Sequence, residues 1–267
     1  MARPRAGQAQ GGELVALAMA AALLFFVGRE ALRTSREAAA RRPPPAAIAV
    51  DTTPAAATLT TDSLSLQRPP HGPAKIDRAE VRRRIDAAAA GTYIADMLAE
   101  RDSLLTRWPD RTQEPVRVWV QRTSSEVPDW NPDLTRLARE AFDEWSAVGA
   151  PLRFMFVVDS TRADIRVNFA DRFPGGNRLG VTTHTHDREG WIVGADIVIA
   201  VHDSGGTVLP PPVVAATARH EVGHALGLAH SRDRATIMYP ESQTLSITGP
   251  DRATLKLLYT LPPGSVK

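Results

Sequence analysis

Three histidines, a glutamate and a glycine recur at fixed intervals in His220-Glu221-Val222-Gly223-His224-Ala225-Leu226-Gly227-Leu228-Ala229-His230. On a helix, His220 and His224 lie one turn apart, so both imidazoles project from one face and can share a single zinc ion. Glu221 sits beside them and is not needed as a ligand. A carboxylate next to a zinc-bound water can take its proton, which gives Glu221 the role of general base. Gly227 accounts for the third histidine. A residue without a Cβ can leave the helix in a left-handed conformation, turning the chain so that His230 returns toward the metal. Three neutral imidazoles leave a fourth tetrahedral position for water, the mark of a catalytic rather than a structural zinc.

The bland alternative is a set of surface histidines on an amphipathic helix. Five fixed positions in this window arise by chance on the order of once in ten thousand chains of this length, which weighs against it. Ser231 follows the third histidine directly, and Ile237-Met238-Tyr239-Pro240 comes shortly after. With these residues the sequence resembles the metzincin metallopeptidases, and among them the matrixins. The resemblance implies a methionine-containing turn beneath the zinc, with Met238 as a support rather than a ligand. It sets the chain apart from the astacin subgroup, whose metal-reaching tyrosine two positions past the methionine is replaced here by Pro240.

The 267-residue chain, 43% hydrophobic, is long enough for one or two domains with a real core. Its net charge is only +2 despite a pI near 9.3, and the motif-bearing part is close to neutral. A basic groove for nucleic acid is therefore not indicated. The chain has no cysteine. Disulfides, thiolate chemistry and latency through a cysteine placed on the zinc are all excluded.

Residues 1–40 read as a basic and apolar leader. Leu14 to Val27 is an unbroken apolar run of 14 residues, shorter than a full membrane span and suited to a signal or an N-terminal membrane anchor; a buried helix is the third reading. No convincing cleavage site lies close to the run. The arginines that follow it oppose export by the positive-inside rule, whereas resemblance to secreted peptidases favours an extracytoplasmic, anchored or secreted protein. Residues 41–73, rich in Pro, Ala and Thr, read as a flexible linker.

From 74 to 110, Val81, Ile85, Ile94, Met97, Leu98, Leu105 and Trp108 recur at steps near three and four, predicting one or two amphipathic helices with a break at Gly91. Arg82-Arg83-Arg84 lies on a solvated face. This region could cover the cleft or pack as a helical stalk; if it blocked the metal, a carboxylate such as Asp96 or Asp102 would have to do so. The peptidase-like domain is expected over 111–267. Strands are predicted near 116–120, 152–157, 163–169 and 194–200, and a helix over 134–148. Pro210-Pro211-Pro212 precedes a zinc helix expected from Val213 to Gly227. Thr248 with Asp251 forms a capping-box pattern opening a last helix, which makes Asp251 structural. Ala141 to Ser146, Leu152 to Phe154 and Ala163 to Arg166 also look like matrixin helix and strands. The resemblance implies an α+β fold: a twisted mixed β-sheet above the active-site helix, and a smaller C-terminal subdomain below the cleft.

His184 and His186 form an H-x-H pair, and His202 follows the last strand. Such a pair could bind a second Zn2+. Family members hold a structural zinc and Ca2+ in this region, but the flanking acidic and glycine pattern is largely missing, so an exposed or satisfied pair is the expectation. Pro240-Glu241-Ser242 lacks the tyrosine that lines the specificity pocket in many matrixins, and side-chain preference does not carry over. The resemblance thus implies a zinc-dependent endopeptidase acting on protein or peptide substrates. The competing class is a membrane-anchored, zinc-bearing binding module whose peptidase site is vestigial.

Overall fold

The computed structural model describes residues 77–174 and 177–267, all within a compact unit that extends from Pro70 to Lys267. The expected leader, with its apolar run, and the Pro-rich linker lie outside the described residues. Among those described, no helix is long and apolar enough to cross a membrane.

A five-stranded mixed sheet forms the upper part of the unit. Its strands are β2 (Arg111–Val120), β3 (Leu152–Phe156), β4 (Ile165–Ala170), β5 (Gly180–His186) and β6 (Ile192–Ala200), in the order β3-β2-β4-β6-β5. All neighbours are parallel except β5, which runs antiparallel to β6 and forms an edge. Purely parallel sheets are usually covered on both faces, giving continuous apolar strands. Here β4 alternates instead: Ile165, Val167 and Phe169 are buried, while Arg166 lies opposite Asp196 and pairs with it at 2.6 Å on the open face. One face is therefore solvated, and the other carries the helices.

Those helices are α3 (Pro132–Ser146) and α4 (Pro211–Ala225). Asn131 caps α3 by accepting from Asp133 N, and Pro132 occupies the first turn, where its missing N–H costs nothing. Its stripe of Leu134, Leu137, Ala138, Ala141, Phe142 and Trp145 is buried. In α4 the two prolines at the start again occupy the first turn. This helix is apolar over most of its surface, as befits one enclosed between the sheet and the structure beneath.

Below α4 lies the smaller part: an irregular run from Leu226, the helix α5 (Gly249–Thr260), and the segment that precedes the sheet. That segment holds α1 (Arg78–Ala88) and α2 (Ile94–Glu100), separated by a turn with Gly91 at φ +73°, as the apolar spacing predicts. Tyr93, Ile94, Met97, Leu105 and Trp108 are all buried in the common core. The short strand β1 (Leu104–Leu105) pairs antiparallel with β7 (Gly264–Ser265), tying the segment to the end of the chain. Arg82-Arg83-Arg84 is exposed, as expected of a solvated face, but Arg82 and Arg84 also donate to the carbonyls of Val266 and Thr260.

Candidate active site

The C-terminal end of α4 sets the geometry of the site. After the cap residue Leu226, Gly227 N donates to His224 O at 2.9 Å and Leu228 N to Gly223 O at 3.0 Å, the paired bonds of a Schellman turn. Gly227 has φ +100°, and a Cβ there would lie 2.1 Å from the carbonyl oxygen of Thr106. Glycine is thus required both by the turn and by the chain that crosses it. The last carbonyls of a helix have no intrahelical partner. Here each finds one: Trp108 Nε1 donates to Ala225 O, the Tyr259 hydroxyl to Leu226 O, and the Arg101 guanidinium to Gly227 O and Leu228 O. Arg101 and Trp108 come from the segment before the sheet.

The turn brings His230 to His220 and His224, and these three offer ligand nitrogens within 4.8 Å of one another. Each imidazole is oriented through its Nδ1. That of His220 contacts Ile237 O at 2.7 Å, that of His224 contacts Leu228 O at 2.9 Å, and that of His230 contacts a carboxylate oxygen of Glu100 at 3.0 Å. Carbonyls and carboxylates only accept, so Nδ1 carries the hydrogen and Nε2 is left with a free lone pair. The Nε2 atoms of His220 and His224 face each other at 3.1 Å. Two such lone pairs repel unless a cation lies between them, and the donor set therefore fits zinc. Burial holds His220 below the ordinary imidazole range and His224 well below it, so both stay neutral as ligands must be.

Glu221 is buried beside this cluster. Thr182 Oγ1, on the edge strand β5, lies 2.7 Å from Glu221 Oε2 and 2.9 Å from the Glu221 carbonyl. Burial pushes the Glu221 carboxyl up to about 7, with the Thr182 hydrogen bond and the Arg178 charge opposing. Gly180, on the same strand, passes so close that a Cβ would fall 2.4 Å from Glu221 Oε1. Neither Thr182 nor Gly180 stands out in the sequence, because their roles arise only when β5 is laid against α4.

Met238 is fully buried beneath the helix, where Gly223 makes room: a Cβ at 223 would lie 2.5 Å from the Met238 sulfur. The turn that holds Met238 is fixed at both ends. Ser231 N donates to Met238 O, and the buried Asp251 accepts from Ile237 N, Thr248 N and Thr248 Oγ1. Asp251 thus caps α5 and carries the methionine turn. Burial, with the Asp251 charge adding to it, holds the Tyr93 phenol well above its ordinary range.

The two carboxylates named as conditional blocks of the metal have other partners. Asp96 accepts from Arg232 N, and Asp102 pairs with Lys267. The carboxylate that does reach the histidines is Glu100, one turn beyond Asp96 on α2. Of the other histidines, His184 contacts Thr106 Oγ1 at 3.3 Å, and the exposed His186 contacts its neighbour's carbonyl. His202 lies buried between Asp129 and Asp171 at 2.9 and 2.8 Å. Among the described residues, only His220, His224 and His230 form a cluster of three metal-ligating side chains.

This combination defines an α+β protein with a three-histidine cluster fit to hold a metal under a sheet edge, a buried glutamate on the same helix and a methionine turn beneath. The matrixin family model matches residues 120–260. Over 139 residues the chain is 31% identical to metalloendoproteinase 1-MMP of Arabidopsis thaliana, covering 48% of this chain and 38% of that protein. It is 30% identical to human matrix metalloproteinase-27 over 143 residues, 45% of this chain and 25% of that one, and 30% identical to human neutrophil collagenase, over 48% and 29%. The chain belongs to the matrixin family, and its fold is the metzincin α+β fold. It spans well under half the length of these relatives.

Proposed function

We propose that the protein is a zinc-dependent endopeptidase, with His220, His224 and His230 holding the metal and Glu221 acting as general base. The observation that carries this reading is the tautomer pattern: every Nδ1 is engaged by an acceptor, so three bare nitrogens converge on one point beside a buried carboxylate. When bound, zinc supplies Lewis-acid polarisation of a carbonyl and a water acidic enough to lose its proton near neutrality. Glu221 takes that proton and later delivers it to the leaving amine. Burial raises the carboxyl of the metal-free site, the direction that favours both taking a proton and returning it. Thr182 holds the Oε2 oxygen and fixes the direction in which the other oxygen works.

The edge strand β5 offers unpaired main-chain groups next to Glu221. An extended polypeptide adds there as a further strand, which would make the substrate an unfolded or loop segment of protein. Met238 and Gly227 support the site and take no part in proton transfer. The apolar run at residues 14–27 would serve to export or anchor the domain outside the cytoplasm.

Glu221→Ala tests the assignment of the base. It should bind zinc as the wild type does and lose nearly all cleavage of an unstructured protein substrate. Cleavage retained within tenfold would exclude Glu221 from that role.

A further inference from the structure

We infer that Glu100 is a positioning residue of the metal centre, so that the segment before the sheet completes the zinc site; this rests on the zinc reading above. Glu100 grips His230 at two points. Its Oε2 accepts from His230 N at 2.9 Å and its Oε1 lies 3.0 Å from His230 Nδ1. The first bond fixes the backbone that carries the ligand and the second fixes the ring. His220 and His224 reach carbonyl oxygens supplied by the turns around the site, whereas His230 depends on a side chain distant in sequence. Glu100 also lies outside residues 120–260, the part matched by the family model.

The helix that carries Glu100 is itself held. Ile94 and Met97 bury one side of α2, and Asp96 accepts from Arg232 N, two residues beyond His230. The next residue, Arg101, donates to Gly227 O and Leu228 O, and Leu228 O is the acceptor that orients His224. The end of α2 therefore braces two of the three ligands. Because Glu100 engages Nδ1, it acts from the side of the ring away from the metal. It steadies the ligand and does not compete for the ion.

The test uses the full chain, comparing wild type with Glu100→Ala, Glu100→Gln and Asp86→Asn, the last an exposed change on α1. Zinc affinity is measured by competition with a chromogenic chelator, and metal-free stability by denaturant unfolding. Loss of such an outer partner weakens metal binding by about 10- to 100-fold, and that is expected for Glu100→Ala. Glu100→Gln keeps one accepting oxygen and should fall between the two. Asp86→Asn should match wild type. Cobalt(II) in place of zinc should give a changed visible spectrum in Glu100→Ala, which a merely structural residue would not produce. Affinity within twofold of wild type for both Glu100 variants overturns the inference, as does an equal loss in Asp86→Asn. A wild type that binds no zinc overturns this inference and the zinc reading together. One that binds zinc tightly but cleaves nothing refutes only the peptidase assignment, and the affinity comparison still decides the role of Glu100.

Discussion

Gly227→Ala should be far more damaging than its size suggests. At φ +100° an alanine bears the strain of a left-handed backbone, about 1–2 kcal/mol. Its Cβ would also stand 2.1 Å from Thr106 O, a backbone atom that cannot rotate away. The chain at Thr106 must retreat, and with it go bonds to carbonyls at the end of α4, notably Trp108 Nε1 to Ala225 O and Arg101 to Gly227 O. A buried carbonyl left without a partner costs about 1–3 kcal/mol. The total is roughly 2–5 kcal/mol, or about one and a half to three and a half decades in the folding constant. Gly149→Ala is the control. That glycine has φ +87° with nothing within 4 Å of the added Cβ, so only the backbone strain of about 1–2 kcal/mol applies. Guanidinium unfolding with excess chelator, to remove any contribution from bound metal, gives both values. If Gly227→Ala proves no worse than Gly149→Ala to within about 1 kcal/mol, the close crossing of Thr106 over the turn is not a real constraint.

A chain beginning at Arg111 should fail to fold, because Ile94, Met97, Leu105 and Trp108, each at most 1% exposed, bring about 1.5–3 kcal/mol apiece to a fold of ordinary stability. A native circular dichroism spectrum and a sharp unfolding transition from that shorter chain would refute this. Asp251→Asn should cost about 1–3 kcal/mol, since Ile237 N, Thr248 N and Thr248 Oγ1 lose their charged acceptor; an unchanged denaturant midpoint would count against its bracing role. His184 is held down at about 4, chiefly by burial, from 6.5 in the unfolded chain, so the unfolded state takes the proton first. Its contribution is full above about pH 6.5 and is lost as the pH falls toward 4. In chelator, the stability of His184→Gln should therefore improve relative to wild type over that range, and a constant difference would show that His184 titrates normally.

The three-histidine cluster was legible in the sequence because its spacing is local. His220, His224 and Gly227 sit on one helix and its turn, so helical spacing and the freedom of glycine sufficed to expect them together, and the place of Met238 beneath the helix was expected from the family pattern. The helices and most strands were legible from apolar periodicity, with ends shifted by about two residues in most cases, but β2 starts at Arg111, well before the expected 116. The zinc helix begins at Pro211 rather than Val213 because proline fits a first turn, and it ends at Ala225 because the Schellman turn consumes Leu226 and Gly227. The contacts from distant residues were not legible. Glu100 is 130 positions from His230, and nothing in its neighbourhood separates it from Asp96, which has the same charge one turn earlier. Thr182 and Gly180 escaped for a similar reason, since β5 is polar and exposed along much of its length and lacks the apolar alternation that marks the other strands. The segment around α1 and α2 showed an apolar stripe, but a stripe does not say what covers it.

A working metallopeptidase built on three oriented histidines and Glu221 differs from a binding module with a vestigial site in what it does to an unfolded protein. Incubating the purified, zinc-loaded protein with denatured casein, with and without a strong chelator, distinguishes the two most directly. A working metallopeptidase should cleave casein at internal peptide bonds, stop on chelation and resume when zinc is restored. A folded protein that holds zinc and leaves casein intact, or one whose cleavage ignores the chelator, would contradict the peptidase assignment.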